Sequence, residues 1–132
     1  MAFLDWSNTL DTITQTLTTV IGLTYTISYF VAGTQPNFLG VTFGSSTLFN
    51  GTAPTNGVGS PSDYVQYTFN STATSTSTVL AFSGQRTVGG EILLDDVSVT
   101  ATPEPCALAI TGLGLAAMVL RRAVRKPKKS EA

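Results

Sequence analysis

Asp95 and Asp96 stand side by side in ILLDDVSV, with Glu91 just upstream, and they form the densest group of carboxylates in the chain. The chemistry open to them is narrow. The chain has no histidine, so no serine, threonine or cysteine nucleophile can be activated by an imidazole. Successive side chains of a strand point to opposite faces, so the adjacent pair is not expected to form a general acid–base dyad. A hydrolase would instead need two carboxylates held roughly 5–10 Å apart across a cleft. Two readings of Asp95 and Asp96 stay open. They are solvated strand or turn positions, or they ligate a hard cation, for which carboxylate oxygens suit a structural Ca²⁺. Glu91 and Asp96 are the candidates for that metal role, and no other cofactor is expected.

The aromatic residues offer a different chemistry. Trp6, Tyr64 and Tyr67 are candidates for contacting carbohydrate, because a flat ring can cover the apolar face of a pyranose while polar neighbours bind its hydroxyls. The competing reading places most aromatics, including Tyr25, Tyr29, Phe69 and Phe82, in the core or on a sheet surface. Asn50-Gly-Thr and Asn70-Ser-Thr match the glycosylation sequon, yet the same residues serve equally as turn formers. Cys106 is the single cysteine. It rules out an intrachain disulfide and a Cys/His metal cluster, and reads as a small apolar residue.

Charge is unevenly distributed over the 132 residues. Six of the seven basic residues are Arg121, Arg122, Arg125, Lys126, Lys128 and Lys129, and only Arg86 precedes them. Seven of the eight acids, Asp5, Asp11, Asp63, Glu91, Asp95, Asp96 and Glu104, lie before the last apolar run. An acidic body offers no electrostatic footprint for a polyanion, which argues against nucleic-acid binding. The opening MAFLDWSNTLDT has no basic n-region followed by an apolar core, so it does not read as a signal peptide.

The elements that must position these residues are strands. TYTISYFV, Thr24 to Val31, puts Tyr25, Ile27, Tyr29 and Val31 on one face and Thr24, Thr26 and Ser28 on the other; Phe30 breaks the pattern. In TITQTLTTVI, Ile13, Gln15 and Leu17 share one side with threonines opposite, and Gly22 suits a tight connection between the two segments. Further strands are expected around Leu39–Phe43, Thr47–Phe49, Tyr64–Phe69, Val79–Phe82 and Ile92–Val99. Turn-rich stretches, Asn50–Asp63 and Gly84–Gly90, separate them. No segment before Cys106 carries a helical period. The pattern is that of a mainly β protein, an antiparallel β-sandwich or jelly roll. Seven or so strands make a thin sandwich with an edge to cover, and further N-terminal strands are expected.

Cys106 to Leu120 is an uncharged run, CALAITGLGLAAMVL. As a helix its 15 residues span roughly 22 Å, against a hydrocarbon core of about 30 Å. Snorkelling by Arg121 and Arg122 lets Ala123 and Val124 extend the buried length. A run this short is also compatible with a buried core helix, but its place at the C-terminus, the prolines before it and the basic cluster after it favour a membrane segment. Arg121, Arg122, Arg125 and Lys126 then act as the stop signal and stay cytoplasmic, leaving the β-domain outside.

Pro103-Glu104-Pro105, then an apolar helix, then Arg121-Arg122 and a basic end resemble the PEP-CTERM sorting signal of Gram-negative bacteria. That resemblance implies recognition by an exosortase, a membrane-embedded transpeptidase-like enzyme, and delivery of the host protein to the cell surface or the extracellular polysaccharide matrix. The tail beyond Arg122 is somewhat longer than the family pattern. The body resembles the choice-of-anchor group of exported bacterial proteins, galactose-binding-like jelly rolls, through ITQTLTTVIGLTYTISYFVAG (Ile13 to Gly33), DYVQYTFNSTATSTSTVLAFSG (Asp63 to Gly84) and ILLDDVSV (Ile92 to Val99). It departs from that pattern at Thr34-Gln35, where Asn-Pro is usual, and at Tyr64, where tryptophan is usual. The family's N-terminal strands and signal peptide have no counterpart in FLDWSNTLDTITQTL.

The expected organisation is a β-sandwich over residues 1–101, incomplete at its N-terminus, a linker motif over 102–105, a transmembrane helix over 106–124 and a basic cytoplasmic tail over 125–132. The expected function is that of a non-enzymatic surface or matrix protein. It would be held in the inner membrane as a precursor and then sorted to the surface, with the exosortase, the lipid bilayer and extracellular polysaccharide as partners. The alternative is a carbohydrate-binding module proper, which would require an exposed aromatic platform.

Overall fold

A computed structural model describes residues 2–4 and 9–102 of the chain. Trp6, the Pro103-Glu104-Pro105 motif, the Cys106–Leu120 run and the basic tail lie outside the described residues. Among the described residues there are eight strands: β1 (Ala2–Leu4), β2 (Asp11–Thr18), β3 (Thr24–Gly33), β4 (Phe38–Phe43), β5 (Ser46–Thr52), β6 (Val65–Thr72), β7 (Ser77–Gln85) and β8 (Ile92–Ala101). They form two four-stranded sheets, ordered β1-β8-β3-β6 and β2-β7-β4-β5, with antiparallel pairing throughout. The chain crosses repeatedly between the sheets, which is the connectivity of a jelly-roll-like sandwich.

The alternation in β3 becomes the centre of the core. Tyr25, Ile27, Tyr29 and Val31 are buried while Thr24, Thr26, Ser28 and Phe30 face out. Leu39, Val41 and Phe43 of β4, Leu80 and Phe82 of β7, and Ile92 and Leu94 of β8 meet them from both sheets. Tyr29 is the hub. Its ring stacks on Tyr67 at 5.5 Å and meets the edge of Phe82 at 5.1 Å. Each such pair contributes roughly 0.5–1.5 kcal/mol beyond the area it buries.

β2 departs from the expectation for Ile13, Gln15 and Leu17. Leu17 packs against the core, but Ile13 is 38% exposed and Gln15 is exposed. β2 is a sheet edge. Opposite Ile13 the other sheet presents Asp95, Asp96 and Val97 rather than a continuous apolar row, so the two sheets leave a cavity of about 290 Å³ between them.

Gly22 makes the turn from β2 to β3. It lies at φ 82° with the Leu23 N–H donating to the Val20 carbonyl at 3.1 Å, an arrangement of type II geometry that needs a left-handed third residue. Gly33 is required for another reason. A Cβ there would stand 2.5 Å from the Pro54 carbonyl oxygen, because Gly33 pairs with Gly57 as the long β5–β6 loop folds back on β3.

Candidate functional site

On the outer face of the β1-β8-β3-β6 sheet, β3 and β6 present short polar side chains. Thr24 and Thr72 hydroxyls lie 3.1 Å apart, and the Thr26 hydroxyl donates to Asn70 Oδ1 at 2.8 Å. Toward the other end of β3 these give way to Phe30. Directly opposite Phe30 on β8 is Asp95.

Between Ser28 and Phe30 the β3–β8 register shifts, from Ser28↔Ser98 to Phe30↔Asp95. Asp96 and Val97 thus both fall opposite Tyr29, a β-bulge with one extra residue on β8. Asp96 occupies it at φ 46°, the one non-glycine residue in the left-handed region among those described. The expectation that Asp95 and Asp96 point to opposite faces assumed regular pleating, which the bulge interrupts. Both residues line one cleft with Phe30, Tyr64 and the Val58–Pro61 loop, and both also border the cavity beside Ile13.

That cleft has a volume of about 440 Å³. Its far wall is fixed by local chemistry. Ser60 caps the short 3-10 turn Pro61–Asp63, with Pro61 at its start. The Asp63 carboxylate answers by accepting from the N–H groups of Gly59 at 2.9 Å and Ser60 at 2.8 Å. The S-P-S-D sequence is a capping box, and it turns a glycine-rich loop into a firm wall. The chain leaves this turn through Tyr64, in extended conformation, so β6 begins at Val65 rather than at Tyr64 as the sequence suggested.

Tyr64 lines the cleft, and its hydroxyl is shut from solvent with no hydrogen-bond partner among the described residues. Burial raises the phenol pKa above its ordinary value, and the carboxylates of Asp95, Asp63 and Glu91 raise it further by opposing a phenolate.

The other candidate residues fare differently. Tyr67 is half-buried on the inner face, stacked on Tyr29 and edge-on to Phe49 at 5.1 Å, so it belongs to the core rather than to the cleft. Glu91 and Asp96 are not brought into a metal-holding group: among the described residues no three His, Cys, Asp or Glu side chains gather where they could hold a metal ion. Asp95 and Asp96, adjacent on one strand, line one wall of the cleft. A glycosidase pair must flank the scissile bond from two sides.

Two features escaped the sequence reading. Phe30 was visible as the residue out of pattern, and that irregularity was the signal available for the site. The wall-forming role of Asp63 was legible only as a capping box, which the turn-rich composition of Asn50–Asp63 obscured.

The fold is similar to that of a solved structure described as "CBM4 structure and function", with a TM-score of 0.50 and 18% sequence identity, covering 69% of this chain and 73% of that one. No protein-family model matches the chain, and no curated protein matches it. At 18% identity the likeness shows the fold alone: a mainly β, antiparallel sandwich of the kind seen in a carbohydrate-binding module.

Proposed function

We propose that the sandwich binds extracellular polysaccharide in the cleft between Phe30, Tyr64 and Asp95, and that the chain is a non-enzymatic surface or matrix protein. The observation that carries this reading is the cleft itself, with two aromatic rings, two carboxylates and a capped loop around about 440 Å³. Small-ligand sites commonly occupy about 300–1,000 Å³. A pyranose presents C–H groups on its faces and hydroxyls around its rim. Phe30 and Tyr64 supply apolar surface for the first, while Asp95 and Asp96 accept charge-assisted hydrogen bonds from the second. The capping box holds the wall in place, so little ordering entropy is lost on binding. The similar solved structure supports the reading, since its description names a carbohydrate-binding module.

The C-terminal segment supplies the address in this proposal. Pro103-Glu104-Pro105 is the motif read by an exosortase, Cys106–Leu120 with Ala123 and Val124 enters the bilayer, and Arg121, Arg122, Arg125 and Lys126 hold the cytoplasmic side. The protein is first an inner-membrane precursor and then a surface or matrix component.

Affinity electrophoresis of the full chain in detergent, through gels containing a panel of polysaccharides, tests the binding. At least one glycan should retard the native chain, and Tyr64→Ala should abolish the retardation. Equal retardation of both would remove the cleft as the site. Replacing Pro103, Glu104 and Pro105 with alanine tests the address in a host that has the exosortase. The mutant should stay in the membrane uncleaved, and normal processing would overturn the sorting role.

A further inference from the structure

Among the described residues β2 pairs with β7 alone and is the edge of its sheet. Sheet edges are usually blunted by charge, proline, a bulge or brevity. The other edges follow that rule or are covered. β1 has three residues, and β5 pairs with β4 through a register shift. β8 meets β1 only up to Leu94, and beyond it carries Asp95, Asp96 and the bulge. β6 is regular, but its Tyr67 and Phe69 already pack against the core, with Tyr67 edge-on to Phe49 of β5.

β2 has none of these guards. Its eight residues, DTITQTLT, pair with β7 without a break from Asp11↔Gly84 to Thr18↔Ser77. The strand has no proline, lysine or arginine, and its one charge stands at its first position. Thr12 to Thr16 are exposed without interruption, so both faces of the strand are open there. An antiparallel copy of the same strand fits this edge. Side chains opposite one another share a face of the sheet, so a residue can meet only one an even number of places away in sequence. With Gln15 on a two-fold axis, Ile13 meets the partner's Leu17, Thr14 the partner's Thr16 and Thr12 the partner's Thr18. The two Asp11 carboxylates then stand at opposite ends of the ladder, roughly 27 Å apart. Moving the axis to Thr14 would set Asp11 against the partner's Leu17 and Ile13 against the partner's Gln15.

We propose that two copies of this chain pair β2 to β2 about Gln15, joining their four-stranded sheets into one of eight strands. A two-fold contact must be self-complementary, and this one matches apolar with apolar and hydroxyl with hydroxyl along the whole ladder. Main-chain hydrogen bonds supply the attraction, cross-strand Thr–Thr and Ile–Leu pairs add to it, and Ile13, 38% exposed in one copy, gains an apolar neighbour. An unrelated extended peptide could also add a strand to an open edge. A second copy, however, carries the complementary row by symmetry and brings no charge into it.

The test uses the full chain in detergent, carrying Cys106→Ala, with one cysteine introduced at a time. The samples are held near about 100 μM, because an edge this short buries less than a standard interface. Directly opposed Cα atoms lie about 4.5–5.5 Å apart, within the reach of a disulfide, and only the residue on the axis faces itself. Mild oxidation should cross-link Gln15→Cys about five-fold or more faster than Ile13→Cys or Thr14→Cys, whose mates lie about 8 Å or more away. Gln66→Cys on β6 should cross-link no faster than those two. A maximum at another position, or equal yields at all four, overturns the proposal. Charge gives a second reading that needs no cysteine. Gln15→Lys and Gln15→Glu each set like charges face to face, so each should sediment as a monomer, and mixing the two should restore dimers. Variants that stay dimeric alone, or stay monomeric when mixed, overturn it as well.

Discussion

Phe30 and Asp95 face each other across β3 and β8, at the register position adjoining the bulge. An aromatic ring and a carboxylate are thereby fixed side by side on an otherwise Thr- and Ser-rich sheet face. Phe30→Ala removes the ring without opening the core, since Phe30 lies on the outer face. Polysaccharide affinity should fall about tenfold, or ~1.4 kcal/mol, with the melting temperature nearly unchanged. Isothermal titration and thermal melts of the same samples check this, and a loss of binding that merely tracks a loss of fold would defeat it.

The bulge makes a second prediction because it sets conformation against strand propensity. Asp96 lies at φ 46°, which β-branched residues adopt only under strain. Asp96→Val should destabilise the sandwich by roughly 1–2 kcal/mol, although valine is the better strand former. Asp96→Gly should stay within about 0.5 kcal/mol of the native chain, because the freedom glycine loses on folding offsets the strain it relieves. Urea denaturation of the two variants distinguishes them. A stabilising Asp96→Val would mean that the bulge is not maintained in solution.

How much of this was legible in the sequence depends on how far each feature depends on partners. The two-residue period of TYTISYFV identified the buried face of β3 because pleating alone fixes it. Gly22 was legible as a turn for the same local reason. The bulge at Asp96 was not, since nothing in ILLDDVSV marks a register shift that arises only when β8 pairs with β3. The cleft needed a loop folded from Gly57 back to Gly33, and Tyr67 looked as exposed as Tyr64 until the second sheet covered it. Asn37 is the clearest case: nothing in TQPN singles it out, and it is fully buried.

Asn37 holds the β7–β8 loop through its side chain. Its amide donates to the Gly89 carbonyl at 2.8 Å, and its Oδ1 accepts from the Thr87 N–H at 2.9 Å. Asn37→Ala leaves both backbone groups without that partner and should cost about 2–3 kcal/mol. Hydrogen exchange of the Thr87 amide should accelerate more than that of the β3 amides. Uniform acceleration across the sandwich would indicate global unfolding instead of a released loop.

The last prediction concerns alkaline pH. Tyr29 is fully buried, and its hydroxyl has no hydrogen-bond partner among the described residues. Burial, aided by neighbouring Tyr67, pushes its pKa far above the usual tyrosine range. Tyr64 is raised as well. A phenol whose folded pKa exceeds its unfolded value, about 10, binds its proton more tightly when folded. The stability it contributes is fully present below pH 10 or so and is lost as pH rises toward the folded pKa. Ionisation of Tyr29 and unfolding should therefore coincide when phenolate absorbance and circular dichroism are followed together. Tyr29→Phe removes an unpaired buried hydroxyl while keeping the stacked rings. It should be neutral or stabilising by up to about 1 kcal/mol at pH 7, and it should move the alkaline unfolding midpoint upward. A variant that unfolds at the same alkaline pH as the native chain would show that another group drives the transition.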